Sequence, residues 1–381
     1  MFRIEMLPAQ QGDALWIEYG SGESVHRVLI DGGTPPTYQL LKQRIGALPA
    51  DDRIFDLFII THIDTDHIGG ALKLLADRAL GAAFRDVWFN DWDDLPPCPA
   101  RGPVDGALMA RVLQGLGIRR NRAFGGLPVA VPDRGALPSP DPLPGGMVLT
   151  LLSPGISQLV NLQCTWEKAL RKARLGDPAH PNIDRLNELA RRKGVQIPRG
   201  VAPIDVEALS DVRFVKDRAR ANGSTIAVLA EYGGRSCLLA GDAFPGVLMS
   251  CLERLRAARG GVPIVIDAFK LPHHGSRRNV SIELLGAVDC ATYLFSTDGS
   301  VFGHPDPEAV ARVIRYGGSS PTLAFNYRSE QNQIWDDEQL MQRFGYRVLY
   351  PQDERTGLMI DLDALPTAKP AQHRRLEGGW S

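Results

Sequence analysis

The chain has 381 residues, of which 44% are hydrophobic and 23% charged, and its net charge is −1. This is a globular composition, and so even a charge balance excludes a chain drawn as a whole to nucleic acid or to an anionic membrane surface. No apolar run reaches the ~18–20 residues of a membrane span. The first residues lack a basic, apolar, small-residue leader pattern. Five cysteines (Cys98, Cys164, Cys237, Cys251 and Cys290) without CxxC spacing point to a reducing compartment and away from a thiolate zinc site. The expectation is a cytoplasmic protein with no membrane partner.

In chain order, Met1 to Leu7 alternates apolar and polar residues, as a half-buried strand does. Gln11 to Tyr19 reads as a turn and then a strand, and Val25 to Ile30 as its hairpin partner across Gly20–Gly22. That strand ends in Asp31-Gly-Gly33, which suits either a close backbone approach near a site or a plain turn. Tyr38 to Ile45 reads as a helix. Phe55 to Ile60 is a short apolar run, read as a strand buried on both faces. It is followed at once by His62, Asp64, Asp66 and His67, then Gly69-Gly70, and then helical character from Ala71 to Leu80. The four polar residues are thus expected in a loop at the carboxyl end of a strand, where open α/β sheets place their sites. A loop so dense in imidazole and carboxylate repels itself unless a cation fills it. The plainer alternative, Asp66 capping a helix, needs one Asp and not two His beside it.

Asp86 to Phe89 and Met147 to Leu152 read as strands, with a Pro- and Gly-broken connection between them. Residues 155–220 form an expected helical insertion, with helices at 157–174 and 183–193 and an excess of Lys and Arg. Those charges suit a solvated surface or a basic rim for a phosphate-bearing substrate. Strands follow at 224–232 and 235–240, the second ending in Gly241-Asp242. A helix at 244–258 leads to the strand Val262 to Leu271, which ends in Pro272-His-His-Gly-Ser276. Then come a helix at 280–287, a strand at 291–296, Gly303-His-Pro305, a helix at 307–316, and strands near 321–327 and 346–350. The expected domain is 1–365, and residues 366–381 read as a loose C-terminal tail.

Five of the eight histidines (His62, His67, His273, His274 and His304) fall at expected strand ends. His26, His180 and His373 do not, and are assigned to structure or surface. The clustering argues for a metal centre, since neutral imidazole and carboxylate are ligands that zinc, manganese and iron accept. Asp242, like Asp31, could also be a turn residue.

Thr61-His-Ile-Asp-Thr-Asp-His-Ile-Gly-Gly70 resembles the HxHxDH signature of metallo-β-lactamase-fold hydrolases, with Asp64 where a second His usually stands. Within that superfamily the series is similar to the hydrolase domain of the DNA-uptake protein ComEC and its free-standing soluble relatives. The series is His62 to Gly70, Asn222-Gly-Ser224, Gly241-Asp242, His273-His-Gly-Ser276 and Gly303-His-Pro305. The resemblance covers about residues 1–350, interrupted by 155–220. It implies an α/β fold, an αββα sandwich with a helical insertion, holding one or two divalent metal ions, zinc or manganese.

The resemblance also implies hydrolysis by a metal-activated hydroxide, most often of a phosphodiester, with a nucleic acid or nucleotide as substrate. A carbon ester, lactone or amide hydrolase, or a non-catalytic metal-bearing module, is the alternative. By this resemblance His62 and Asp64 hold the first ion, Asp66 and His67 the second, and Asp242 bridges both. His273 completes the second ion, with His274 as the competing choice. Asp66 also orients the hydroxide. His304 or His274 protonates the leaving group or binds the phosphoryl group, and Asn222, Ser224 and Ser276 donate hydrogen bonds to phosphate oxygens. Many superfamily members supply a further metal histidine between the signature loop and the Gly-Asp. Here the interval holds only His180.

Overall fold

The computed structural model describes residues 1–22, 24–91, 109, 112–113, 116–118, 120–162 and 204–366. The first sheet contains β1 (Phe2–Met6), β2 (Leu15–Ser21), β3 (Ser24–Ile30), β4 (Leu57–Ile59) and β5 (Val87–Trp88). The second contains β6 (Val148–Ser153), β7 (Ala227–Tyr232), β8 (Arg235–Leu239), β9 (Val265–Lys270), β10 (Asp289–Phe295), β11 (Thr322–Phe325) and β12 (Arg347–Leu349). A late strand, β13 (Leu358–Asp361), returns to the first sheet. The sheet orders are β13-β1-β2-β3-β4-β5 and β12-β11-β10-β9-β8-β7-β6. The β3–β4–β5 run is parallel, as is β8 through β12, while the remaining ladders are antiparallel.

Side-chain alternation explains the layering. In β2, Leu15, Ile17 and Tyr19 enter the core shared by both sheets, while Trp16 points the other way. In and just after β4, Leu57 and Ile59 face the shared core, and Phe58 and Ile60 face out. Successive residues of a strand point to opposite faces, so a continuous apolar run means that both faces are covered. The outward set packs on Leu41 and Ile45 of α1 (Thr37–Gly46) and on Ile68, Leu74 and Leu75 of α2 (Thr65–Ala76). On the far side, Leu248 and Leu252 of α3 (Pro245–Ala258) join the shared core. Helices, two sheets and helices make an α/β sandwich of the metallo-β-lactamase kind. Among the described residues, no helix is long and apolar enough to cross a membrane.

Two expectations need correction. The helix expected from Ala71 begins at Thr65, inside the polar motif, with Asp64 at its N-cap. Gly69 and Gly70 are therefore helical residues, retained for close packing. A Cβ on Gly70 would lie 2.0 Å from the Gly32 carbonyl oxygen, and one on Gly69 would lie 2.6 Å from Pro35 Cδ. The first sheet is closed by β13, which pairs with β1, and a helix over Glu338–Phe344 precedes β12. Neither element was expected. Of the insertion expected at 155–220, residues 156–162 are helical, and Val206–Ser210 and Arg220–Gly223 are short helices. The helix expected at 183–193, His180, His373, Cys98, Cys164 and all but the first residue of the tail lie outside the described residues.

Candidate metal centre

Each histidine and aspartate motif sits just past the carboxyl end of a strand in a parallel run, whereas Asn222-Gly-Ser224 precedes β7. Asp31 follows β3, His62 follows β4, Asp242 follows β8, His273 and His274 follow β9, and the loop carrying His304 follows β10. Sheet pairing brings these ends to one edge. Asp31, His273 and His274 all have positive φ, at 58°, 49° and 55°. That left-handed conformation costs a non-glycine residue about 1–3 kcal/mol and persists where surrounding structure imposes it. It turns the consecutive rings of His273 and His274 to different sides of one carboxylate.

That carboxylate belongs to Asp242. Its Oδ1 lies 3.4 Å from His67 Nε2 and 3.8 Å from His274 Nε2. Its Oδ2 lies 3.8 Å from both His62 Nε2 and His273 Nε2. Asp64 Oδ2 stands 3.8 Å from His62 Nε2, on the Oδ2 side. Asp66 Oδ2 stands 3.6 Å from His274 Nε2, on the Oδ1 side. The four imidazoles thus divide into two pairs, one to each carboxylate oxygen, and each pair has a further aspartate.

The other ring nitrogens fix the tautomers. His67 Nδ1 donates to Asp31 Oδ2 at 2.8 Å, and His274 Nδ1 to the Ser296 carbonyl at 2.8 Å. Thr61 Oγ1 donates to Asp31 Oδ2, so at 3.0 Å it accepts from His62 Nδ1. His273 Nδ1 donates to Asn279 Oδ1 at 3.0 Å. With Nδ1–H satisfied, each Nε2 lone pair faces Asp242. Outer hydrogen bonds of this kind orient histidines that bind metals.

The donor atoms themselves are left over. His62 Nε2, His67 Nε2, His274 Nε2 and Asp242 Oδ1 are buried without a hydrogen-bond partner. Buried polar atoms are ordinarily paired, and each orphan carries a desolvation cost of about 1–3 kcal/mol. Four orphans facing one another fit a divalent cation; within Asp66–His67–His274, and within His62–His67–Asp242, which spans both pairs, the donor atoms lie within 4.8 Å of one another. Imidazole and carboxylate donors without thiolate suit zinc, manganese or iron.

Charge follows the same division. Burial works against protonating His274, but Asp242 and Asp13 raise its pKa to about 9. Burial likewise opposes protonation of His67, yet Asp242 and Asp31 hold its pKa well above the usual histidine value. Burial, with the neighbouring His67, pushes His62 down to about 3. Burial raises Asp242, but the surrounding imidazoles outweigh it and keep the carboxyl ionised far below its ordinary range.

All six residues expected as metal ligands gather here, and of the two consecutive histidines it is the competing choice, His274, that lies on the Asp66–His67 side, whereas His273 faces the His62 side. Buried His304 stands edge-on to His273, with ring centres 5.2 Å apart. Burial, with His273 and His274 beside it, lowers its pKa to about 3. Burial thus favours its neutral form, in which one ring nitrogen can donate a hydrogen bond. His274 Nδ1 is taken by the Ser296 carbonyl, and its Nε2 faces Asp66 and Asp242.

The expected phosphate contacts are engaged within the scaffold. Asn222 Nδ2 donates to Asp217 Oδ2 at 2.8 Å and lies 3.2 Å from His273 Nδ1. Ser224 Oγ donates to the Ala221 carbonyl at 2.6 Å, and buried Ser276 Oγ accepts from the Arg278 N–H at 3.3 Å. Sequence reasoning missed Thr61, Asn279, Asp217, Asp13 and Lys270. The one available signal was Lys270, a lone cation in a run read as a buried strand, which requires a buried partner. His26, assigned to structure, pairs with Asp56 at 2.8 Å.

Residues 8–152 match the sequence model of the Metallo-beta-lactamase superfamily. No curated protein matches the chain. Among solved structures, the chain is similar to CmlA, a diiron beta-hydroxylase from Streptomyces venezuelae, at 14% identity and a TM-score of 0.40. That match covers 94% of this chain and 54% of CmlA, so the chain spans about half the length of that protein. It is also similar to a candidate metal-dependent hydrolase from Parabacteroides distasonis, at 10% identity and a TM-score of 0.33, covering 92% and 99% of the two chains.

Proposed function

We propose that this chain, whose residues 8–152 match the Metallo-beta-lactamase superfamily model, is a two-metal hydrolase acting on a phosphodiester of a nucleotide or nucleic acid. The observation that carries this reading is the divided Asp242 carboxylate, with one oxygen toward His67 and His274 and the other toward His62 and His273. On this reading, His62, Asp64, His273 and Asp242 would hold one cation, and Asp66, His67, His274 and Asp242 would hold the second. His273 thus fills the place for which the chain between the signature and Gly241-Asp242 offers only His180.

Divalent cations so placed supply an activated water and neutralise charge at a phosphoryl oxygen. The chain's own residues position the rest. Asp31, Thr61, Asn279 and the Ser296 carbonyl hold four imidazoles in one tautomer, so no reorganisation is needed at the moment of reaction. Asp64, 45% exposed in its side chain, marks the open side. His304 donates to an oxygen of the substrate. The motif series shared with ComEC-type hydrolase domains supports the phosphodiester, as does the paired arrangement, which suits in-line displacement at phosphorus.

The test is a substrate panel run with zinc, manganese or iron(II) added. The expected result is hydrolysis of bis(p-nitrophenyl) phosphate that is abolished in Asp242→Ala while circular dichroism is unchanged. Turnover of lactones or thioesters with inert phosphodiesters would overturn the choice of substrate. Bound metal with no turnover of any ester would overturn the enzymatic reading.

A further inference from the structure

We infer that the buried ion pair Asp13–Lys270 is a positioning device for one metal position only, the Asp66–His67–His274 set, and so decides whether a second ion is retained. This rests on the two-metal reading above but not on the identity of the substrate.

Lys270 closes β9 and is 0% exposed, and Asp13 lies in the turn before β2 at 1%. Fully buried lysine and aspartate are rare unless paired, and here the Lys270 Nζ binds Asp13 Oδ2 directly. The pair joins one sheet to the other. The second oxygen, Asp13 Oδ1, has no hydrogen-bond partner and stands 3.4 Å from His274 Nδ1. The same turn holds Asp66 through its backbone, because the Asp13 N–H donates to the Asp66 carbonyl at 3.3 Å. Gly12 permits that approach, since a Cβ there would lie 1.8 Å from the Asp66 carbonyl oxygen.

Ser296 closes the circuit. Its hydroxyl donates to the Gly12 carbonyl at 3.2 Å, and its own carbonyl accepts from His274 Nδ1. Turn, histidine and aspartate are thus tied in one ring of contacts that reaches Asp66 and His274 together. His62 and His273 are oriented by other groups, Thr61 and Asn279. A device serving one set and not the other affects one ion and not the other.

The experiment is a metal titration of the whole chain, stripped by chelation, with zinc followed by calorimetry and with cobalt(II) followed by visible absorption. The wild type is compared with Asp13→Asn/Lys270→Met, which leaves no unpaired buried charge. The expected result is two equivalents in the wild type. In the double variant the first binds unchanged and the second binds about 10–100-fold more weakly, the usual effect of removing an outer partner of a metal ligand. Should the double variant fail to fold, Ser296→Ala, which removes the hydroxyl bond to the Gly12 carbonyl and no buried charge, carries the same expectation. A purely structural pair would lower the melting temperature and leave both affinities and the cobalt spectrum unchanged, which overturns the inference. A wild type that takes up a single equivalent also overturns it. Absence of phosphodiester turnover, with two equivalents bound and the second lost in the variant, would sink the substrate reading and leave this inference standing.

Discussion

A histidine ring has two nitrogens with different duties, and the centre is built on that difference. Each Nδ1 of His62, His67, His273 and His274 is held by a group of the scaffold, so each Nε2 lone pair is aimed before any ligand arrives. Asn279 illustrates the cost of this arrangement. Its Oδ1 accepts from His273 Nδ1, while its Nδ2 donates to Asp217 Oδ2 at 3.2 Å. Asn279→Ala removes the tautomer lock of His273 and, on the shared ligand, only a 3.3 Å bond to the Asp242 backbone carbonyl, while Asp66, His67 and His274 keep their own partners. Competition with a fluorescent chelator is expected to show about 10–100-fold weaker binding of one equivalent, with the other unaffected. The expected ligands were legible at this scale because imidazole and carboxylate cluster at strand ends in the sequence. Their partners were not, because Asn279, Thr61 and Asp13 are ordinary polar residues whose role comes from contacts far along the chain.

At the scale of elements, α2 carries much of the arrangement. It starts at Thr65, places Asp66 and His67 in its first turn, and is drawn against the loop after β3 by two glycines. The polar motif and its neighbouring strand were evident in the sequence. The start of the helix was not, because Gly69-Gly70 reads locally as a break and only the facing Gly32–Pro35 backbone shows why small residues are needed there. Gly70→Ala sets a Cβ against the Gly32 carbonyl oxygen, a backbone atom that cannot swing aside. The expected loss is about 1–3 kcal/mol in urea unfolding, with metal content reduced in step, because Gly32 N donates to the His67 carbonyl. An unchanged midpoint would show that the close approach is not needed. His273 and His274 show a related limit, since nothing in Pro-His-His-Gly announces two consecutive left-handed residues.

For the whole molecule, the sandwich was readable from alternation: runs covered on both faces imply two layers of helices around two sheets. What alternation cannot show is which distant segments pair. β13 is a four-residue strand beside β1, at the opposite end of the described chain, and its partner is invisible locally. The centre has the same character, because its ligands come from β4, β8 and β9 and converge only when the two sheets stack. Anomalous diffraction from crystals of the metal-loaded protein, collected at the zinc, manganese and iron edges, tests that convergence most directly. The account predicts two peaks flanking Asp242, one toward His62 and His273 and one toward His67 and His274, each about 2.0–2.2 Å from its ligand atoms. A map with no peak beside Asp242, its four neighbouring Nε2 atoms instead hydrogen-bonded to water or protein, would contradict it.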